Sequence, residues 1–255
     1  MSDKILETVK QQFGRAAADY VTSEVHSKGW TLARMVELVQ PQADWQMLDI
    51  ATGGGHTARV FAPHVAHVTV TDLTPEMLAS AETHLTANNI TNTTYQIANA
   101  LDLPFDDDSF DLVTCRIAPH HFPDVYPFLL ECKRVLKPAG TLAIVDNIVP
   151  DGDAGDYINA FEKLRDPSHV RCLSAETWQQ ELYGTGFTLQ HLEEGRMKIE
   201  FDSWATRMNV GDLDRVRLKV LLKQAPPDAR AILTPEFAGD RIHFYLQRII
   251  LVSSN

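Results

Sequence analysis

A cluster of glycines between a short apolar run and a helical pattern constrains the fold of this chain more than any other feature. Residues 46–51 have the pattern of a buried strand, residues 53–55 are consecutive glycines, and residues 56–62 have helical spacing of apolar side chains. A β-branched run at 65–71 follows and ends at Asp72. Strand, glycine turn, helix and second strand predict a βαβ unit, in which the two strands are parallel.

The alternation of strand and helix continues beyond this unit. Three more strands are predicted at residues 93–98, 110–116 and 141–147, with a helix at 124–136 before the last of them. Such alternation is typical of an α/β fold in which a doubly wound, mostly parallel sheet carries helices on both faces.

Composition limits the size and the partners of this fold. With 255 residues, 44% of them hydrophobic, the chain can bury the core of one α/β domain with a small cap. The formal net charge of −11 disfavours a surface that tracks a phosphate backbone, so we expect no nucleic-acid partner. Three scattered cysteines form no disulfide or zinc pattern, and no apolar run approaches the roughly 20 residues that span a bilayer. These features predict a cytoplasmic protein without membrane insertion.

The glycine turn and Asp72 together predict a nucleoside site. Glycines let the backbone approach a ligand closely, and the helix that follows presents its N-terminal amides. An acidic residue at the end of the next strand can accept hydrogen bonds from the hydroxyls of a ribose. The structural alternative is that the glycines only form a tight turn and Asp72 only caps a helix.

Two cofactor classes fit this arrangement. Residues 53–58 also satisfy the G-x-G-x-x-A pattern of dinucleotide-binding proteins, so an NAD(P)-dependent oxidoreductase is one alternative. Against it, the first strand follows a helical prelude, and no tyrosine has a lysine four residues later, as the Tyr-x-x-x-Lys pair of short-chain reductases requires. Asp49, just before the turn, favours S-adenosylmethionine, because a carboxylate there can face the cationic amino end of a methionine moiety but would repel a pyrophosphate.

Six sequence motifs, which occur in a fixed order along the chain, make its resemblance to one known family specific. They are residues 49–55, Asp72 with residues 73–77, Leu103-Pro104-Phe105, Ser109-Phe110-Asp111, His-His-Phe-Pro-Asp at 120–124 and Arg-Val-Leu-Lys-Pro-Ala-Gly at 134–140. Together they resemble the UbiE-like (type 11) class I methyltransferases over nearly the whole chain. The resemblance implies a seven-stranded, Rossmann-like sheet with an antiparallel last strand, and S-adenosylmethionine as the cofactor.

The resemblance also implies a cofactor site, with the homocysteine moiety over the glycine turn, the ribose on Asp72 and the adenine beside residues 99–101. The predicted cofactor-binding residues are Asp49, Ala51, Thr52, Gly53, Gly55, Asp72, Leu73, Met77, Asn99, Ala100, Leu101 and Arg116. Two of them depart from the family pattern. Ala51 replaces the first glycine of D-x-G-x-G-x-G but is small, and Asn99 replaces an acidic residue but can still accept a hydrogen bond from the adenine amino group.

The predicted organisation is a single methyltransferase domain over residues 1–255. It comprises a helical prelude at 1–45, a cofactor-binding core at 46–147, a small cap insert at 151–185, and C-terminal strands and helices at 186–255. The insert follows the fifth strand, and the connections after parallel strands emerge at one edge of the sheet. We therefore expect the insert to cover the ligand.

Polar residues near the expected ligand edge are candidates for acceptor chemistry. His120 and His121 follow the fourth strand, where either could orient an acceptor or take its proton at neutral pH, although packing within a loop is the alternative. The remaining candidates are the catalytic residue His169 and the substrate-binding residues Arg165, Arg171 and Tyr20. Surface ion pairs would explain the arginines equally well, and no metal site is predicted.

These features predict methyl transfer to a carbon or oxygen atom of a small-molecule acceptor, with the protein contributing mainly by positioning donor and acceptor. The identity of the acceptor, its nucleophilic atom, the need for a general base and the oligomeric state stay open. Two alternatives are kept: an NAD(P)-dependent oxidoreductase that uses the same turn, and a non-catalytic protein that binds an adenosyl ligand.

Overall fold

The computed structural model describes residues 4–13 and 29–255 of the chain. Its helices, in chain order, are α1 (4–13), α2 (Trp30–Val39), α3 (His56–Phe61), α4 (Pro75–Ala87), α5 (Val125–Val135), α6 (Asp153–Arg165), α7 (Ala175–Gly184), α8 (Phe201–Arg207), α9 (Asp212–Lys223) and α10 (Pro227–Leu233). Its strands are β1 (Gln46–Ile50), β2 (His67–Asp72), β3 (Thr93–Ile97), β4 (Phe110–Arg116), β5 (Leu136–Ile148), β6 (Thr188–Glu200), β7 (Glu236–Ala238) and β8 (Arg241–Ser254).

The strands form one sheet in the order β3-β2-β1-β4-β5-β8-β6, with the short β7 paired to β8. Strands β1 to β5 pair in parallel, and β8 lies antiparallel between β5 and β6. The predicted doubly wound, seven-stranded sheet with an antiparallel last strand is confirmed, and β7 adds a short eighth strand. The strand order reverses between β1 and β4, and such a reversal opens a crevice at the carboxyl ends of the strands.

Helices cover both faces of the sheet because its central strands are apolar on both sides. On one face, α5 and α7 contribute Phe128 and Trp178 to a buried cluster with residues of β4, β5 and β8. On the other face, α2, α3 and α4 contribute Met35, Phe61 and Leu85 to a second cluster. This packing fixes the ends of the central strands, and therefore the position of the loops that follow them.

A third buried cluster forms a cap from α6, α8, α9 and α10 together with the ends of β6 and β8. Its centre is a stack of Phe161 on Trp204, whose ring centroids lie 5.1 Å apart. The predicted cap insert at 151–185 therefore needs correction. Its first helix, α6, belongs to the cap, but its second, α7, packs on the sheet because Trp178 and Leu182 form an apolar face one helical turn apart.

The sequence pattern does not predict α10 and β7. The helix has seven residues and begins at Pro227, and the strand has three residues, all exposed. Neither is long enough for a hydrophobic period to be recognised. Within the described residues, the structure contains no helix that is both long and apolar enough to span a bilayer.

Candidate active site

A cleft opens at the carboxyl ends of β1, β2 and β4. Its volume is about 930 Å³, including the part open to solvent. Among the described residues, helix α1 lines it with Leu6, Val9 and Phe13, and the glycine turn, the strand ends and the loops after β3 and β4 also line it. The cleft therefore lies where the strand order reverses, as expected for a ligand site in an open α/β sheet.

The glycine turn lines the cleft with a strained backbone. Ala51, Gly53 and Gly55 have φ angles of 51°, 55° and 75°. A Cβ atom at Gly53 would meet nothing within 4 Å, whereas one at Gly55 would lie 3.3 Å from the Cβ atom of Ala81 on α4. Gly53 thus leaves space beside its backbone, and Gly55 allows α3 to pack closely on α4. Ala51 adopts the left-handed conformation at a cost of roughly 1–2 kcal/mol, so its departure from the family glycine keeps the approach close but adds strain.

Asp72 ends β2 and lines the cleft beside the turn. Its Oδ2 accepts the N–H of Gly53 at 3.0 Å, and its Oδ1 accepts the N–H and the hydroxyl of Thr74 at 3.1 and 3.0 Å. Burial raises the pKa of this carboxyl, and the hydrogen bonds oppose that shift. A carboxylate offers about four acceptor positions, and the N–H of Leu73 also contributes to the hydrogen bonding of this one, so a ribose hydroxyl would share these oxygens with the turn.

Asp49 lies one layer behind the cleft rather than in its lining. Its two carboxylate oxygens accept the hydroxyls of Thr52 at 2.6 Å and Thr114 at 2.7 Å. Burial raises the pKa of Asp49 to about 6 in spite of these bonds. Thr52 does line the cleft, so one side chain separates the carboxylate of Asp49 from a bound ligand. Its role toward a methionine amino group stays a prediction.

The residues predicted to lie near adenine, Leu73, Asn99, Ala100 and Leu101, all line the cleft, and so does Met77. The Oδ1 atom of Asn99 accepts the N–H of Leu101 at 3.1 Å, which orients the amide. A second acceptor position on this oxygen is left for an amino group. The geometry therefore allows Asn99 to replace the acidic residue of the family pattern, and its contact with adenine stays a prediction.

Arg116, the last residue of β4, also lines the cleft. Its Nε donates a hydrogen bond to Oγ1 of Thr57 at 3.2 Å. Burial lowers the pKa of this guanidinium to about 10, and the nearby Asp49 opposes the shift. Arg116 therefore remains a cation at neutral pH, next to the glycine turn.

His120 is fixed by a buried aspartate at the end of β5. Its Nδ1 lies 2.5 Å from Oδ1 of Asp146, and its backbone N–H donates to Oδ2 of the same carboxylate at 2.8 Å. Burial lowers the pKa of His120, but the charge of Asp146 and their hydrogen bond outweigh it and leave the pKa above its ordinary value. His120 does not line the cleft in the described part of the chain.

His121 lines the cleft, as does His56 at the start of α3. Its ring lies edge-on to Phe13 at 4.9 Å and beside the ring of His120 at 4.2 Å between centroids. Burial and the neighbouring His120 lower the pKa of His121 to about 3, so the imidazole is neutral at neutral pH. A neutral imidazole carries one nitrogen that can accept a proton.

His169 is buried behind these two histidines. Its ring centroid lies 5.5 Å from that of His120, and its Nε2 lies 2.9 Å from Oδ1 of Asn159. Burial, followed by the charge of His120, lowers the pKa of His169 to about 2. The three histidines lie together, but the structure corrects the expectation that His169 meets the acceptor, because this side chain is buried and is not among the residues that line the cleft.

The two arginines predicted to bind substrate lie away from the cleft. The guanidinium of Arg165 lies 4.9 Å from the ring centroid of Trp204 and its Nε donates to the carbonyl of that residue. The side chain of Arg171 is 58% exposed, with Nη2 3.8 Å from Oδ1 of Asp156. Packing and surface pairing account for both positions, which corrects the prediction. Tyr20, the third candidate, lies outside the described residues.

The residues that hold the histidines were missed by sequence reasoning. Asp146 lies within the predicted strand 141–147, and Asp166 and Ser168 flank Pro167 close to His169. Asp166 and Ser168, two polar residues next to the candidate His169, were a usable signal of hydrogen bonding around the histidines. The sequence does not show, however, that the loop after α6 folds back onto residues 120–121. In residues 4–13 and 29–255, no group of three or more His, Cys, Asp or Glu side chains is arranged to hold a metal ion.

Comparisons with known proteins agree with this fold. Residues 48–144 match the family described as methyltransferase domain. The chain is 34% identical to the uncharacterized methyltransferase YcgJ of Bacillus subtilis, over 96% of this chain and 98% of that protein. The crystal structure of YcgJ matches with a TM-score of 0.84 at 32% identity, covering 88% of this chain and 97% of that one. The crystal structure of a protein from Bacillus halodurans matches with a TM-score of 0.85 at 35% identity, covering 89% of this chain and 99% of that one.

A demethylmenaquinone methyltransferase of Listeria monocytogenes is 30% identical over 151 residues, which are 58% of this chain and 62% of that protein. The sheet order and the strand–glycine turn–helix site define the class I fold. The chain belongs to the class I S-adenosylmethionine-dependent methyltransferases, with UbiE-like relatives. This membership supports a methyltransferase and gives no support to the NAD(P)-dependent alternative.

Proposed function

We propose that this protein transfers the methyl group of S-adenosylmethionine to an oxygen or carbon atom of a small-molecule acceptor. The observation that carries the proposal is that the glycine turn, Asp72 and His121 line the same cleft. The turn and Asp72 would hold the donor, and His121 would face the acceptor. When bound, the cofactor supplies an electrophilic methyl group on a sulfonium.

The cleft residues fit this cofactor. The open space beside Gly53 admits a ligand against the backbone, and the carboxylate of Asp72 lines the same cleft, where it suits a ribose hydroxyl. Leu73 and Leu101 offer apolar surfaces for a flat base. At the other end of the ligand, the cation of Arg116 suits the carboxylate of the methionine moiety, and the buried charge of Asp49 suits its amino group.

Among the described residues, several that line the cleft near His121 are apolar. Phe13, Ile117 and Phe122 line it, and apolar walls exclude water and hold an acceptor close to the methyl group. The net charge of −11 disfavours nucleic acid as an acceptor. These two features favour a small, partly apolar molecule.

A cytoplasmic location and catalytic competence are also part of this proposal. Cys115, Cys132 and Cys172 are buried free thiols, which suits a reducing compartment. In the non-catalytic alternative, the protein binds an adenosyl ligand but methylates no acceptor. A neutral histidine in the cleft favours catalysis over binding alone.

The test is formation of S-adenosylhomocysteine from S-adenosylmethionine with a panel of phenols, enols and carbon acids, with tRNA and duplex DNA included. We expect turnover with at least one small acceptor and none with the nucleic acids. Methylation of nucleic acid alone would contradict the proposal. Binding of the cofactor without turnover for any acceptor would favour the non-catalytic alternative.

A further inference from the structure

The loop after α6 is locked onto the turn that carries His121. The carbonyl of His120 accepts the N–H groups of both Val170 and Arg171, at 2.9 and 3.1 Å. The side chains of Asp166 and Ser168 in this loop are 2% and 1% exposed. Two buried polar side chains are thereby held directly against His121.

The hydrogen bonds among these residues have only one consistent direction. The Oδ1 atom of Asp166 accepts the N–H of Ser168 at 2.9 Å and its hydroxyl at 2.5 Å. The hydroxyl proton of Ser168 is thus used on the carboxylate, so the Oγ atom can only accept toward Nδ1 of His121, which lies 3.3 Å away. A neutral imidazole has one N–H, and this arrangement assigns it to Nδ1.

The chain of bonds requires Asp166 to be ionised. Burial would raise the pKa of this carboxyl, but the pKa lies below its usual value, because Arg165 and the hydrogen bonds from Ser168 favour the charged form. Asp166 is therefore a carboxylate at neutral pH and acts only as an acceptor.

The backbone of Ser168 also forms a hydrogen bond with the ring of His121, but no side chain in the described part of the chain lies within hydrogen-bond distance of the second nitrogen, Nε2. This atom lies 4.0 Å from Oδ2 of Asp166, beyond hydrogen-bond distance but close enough for charge attraction. We propose that Asp166 and Ser168 are positioning residues that keep the proton of His121 on Nδ1, so that Nε2 accepts the proton of a hydroxyl group on the acceptor. This inference rests on the proposed function and narrows the acceptor to a phenol or an enol.

The proton transfer balances within these groups. The O–H bond of the acceptor breaks, its electron pair stays on the acceptor, and the proton bonds to Nε2 to give an imidazolium beside Asp166. The titratable groups facing His121 in the described residues are His120, His169, Asp166 and Arg165. Burial disfavours a second proton on the ring, as do His120 and Arg165, and these outweigh the opposing charge of Asp166, so His121 is neutral before reaction. His121 is therefore a weak base. A weak base suffices, because the hydroxyl group of the acceptor becomes strongly acidic as its oxygen or ring gains a methyl cation.

Nuclear magnetic resonance of the whole chain tests the tautomer directly, without an acceptor. The protein is labelled with ¹⁵N-histidine, and long-range ¹H–¹⁵N spectra are recorded at pH about 7, with the signals of His121 assigned by their loss in His121→Gln. We expect Nδ1 to carry the proton and Nε2 to have the shift of an unprotonated nitrogen. In Ser168→Ala, Nδ1 should become the unprotonated nitrogen. In Ser168→Thr, which keeps the hydroxyl, Nε2 should remain the unprotonated nitrogen.

A wild-type spectrum with the proton on Nε2, or on both nitrogens, would overturn the proposal even if Ser168→Ala does not fold. The wild-type tautomer in a folded Ser168→Ala variant would also overturn it. Titration of the same samples with S-adenosylhomocysteine separates this result from the proposed function. Absence of binding in the wild type would count against the function, whatever the tautomer of His121.

Discussion

At the scale of single residues, three buried aspartates near strand ends have different roles because their partners differ. Asp72 accepts backbone and hydroxyl groups of the turn, Asp49 accepts two threonine hydroxyls, and Asp146 pairs with His120. Sequence reasoning identified the first two, because each belongs to the strand–turn pattern. The partner of Asp146 comes from another loop, which strand periodicity does not reveal.

Asp72→Asn tests the ribose contact at this scale. The amide keeps the size of the side chain and one acceptor oxygen for the N–H groups around it, but it loses the charge that strengthens a bond to a hydroxyl. We expect the affinity for S-adenosylhomocysteine, measured by calorimetry, to fall about tenfold, which is about 1.4 kcal/mol. The exposed Asp102→Asn is the control for net charge. An affinity equal to wild type in Asp72→Asn would show that the ribose is bound elsewhere.

Asp49→Asn tests the cost of a buried charge. Burial raises the pKa of Asp49 from 3.8 to about 6 in the folded state. The folded state then binds this proton more tightly than the unfolded state, so stability falls as pH rises from about 4 to about 6 and stays lower above that pH. The variant should raise the free energy of unfolding by roughly 1–3 kcal/mol at pH 7.5 and by little at pH 4.

Denaturant unfolding at both pH values measures the effect of Asp49→Asn. The cofactor affinity of the variant should fall at pH 7.5, because the charge opposite the methionine amino group is lost. A variant that is less stable than wild type at pH 7.5 would show that the carboxylate is stabilised by its partners rather than penalised by burial.

At the scale of elements, the turn between β1 and α3 combines two constraints on glycine. Gly53 has open space toward the cleft, and Gly55 lies against α4. The sequence predicted the turn from its glycines, but only the packing of α3 on α4 shows which glycine serves the ligand and which serves the fold.

Gly53→Ala and Gly55→Ala separate these constraints. Both residues have positive φ angles, so each variant should lose roughly 1–2 kcal/mol of stability from backbone strain. Gly55→Ala should lose more, because its Cβ would crowd Ala81 and Leu85. Gly53→Ala should instead show the larger loss of affinity for S-adenosylhomocysteine. Thermal unfolding and calorimetry measure the two effects, and a reversed order would contradict the assignment.

Helix α1 is the element that closes the cleft, through Leu6, Val9 and Phe13. Phe13→Ala removes an aromatic ring that lies against His121, and we expect the affinity for S-adenosylhomocysteine to fall about 5- to 30-fold, or about 1–2 kcal/mol. Lys10→Ala, on the exposed side of the same helix, is the matched control. Equal affinities in both variants would mean that α1 does not cover the bound ligand.

At the scale of the whole molecule, the sequence predicts the sheet better than the cap. The apolar runs of β1, β2, β4, β5 and β8 are strong because these strands are mostly buried and regular. The cap joins α6 to α8, α9 and α10, which follow only after α7 and β6, so no local period shows that they pack together. The misplacement of Arg165 and Arg171 follows from the same cause, since α6 directs Arg165 to Trp204 in the cap.

The central claim is that this cleft binds S-adenosylmethionine for methyl transfer, and calorimetric titration of the wild-type protein tests it most directly. S-adenosylmethionine and S-adenosylhomocysteine should each bind one site with a Kd of roughly 1 μM, about −8 kcal/mol, while NAD and NADP give no measurable heat. Tight binding of NAD together with no binding of either adenosyl ligand would contradict the account.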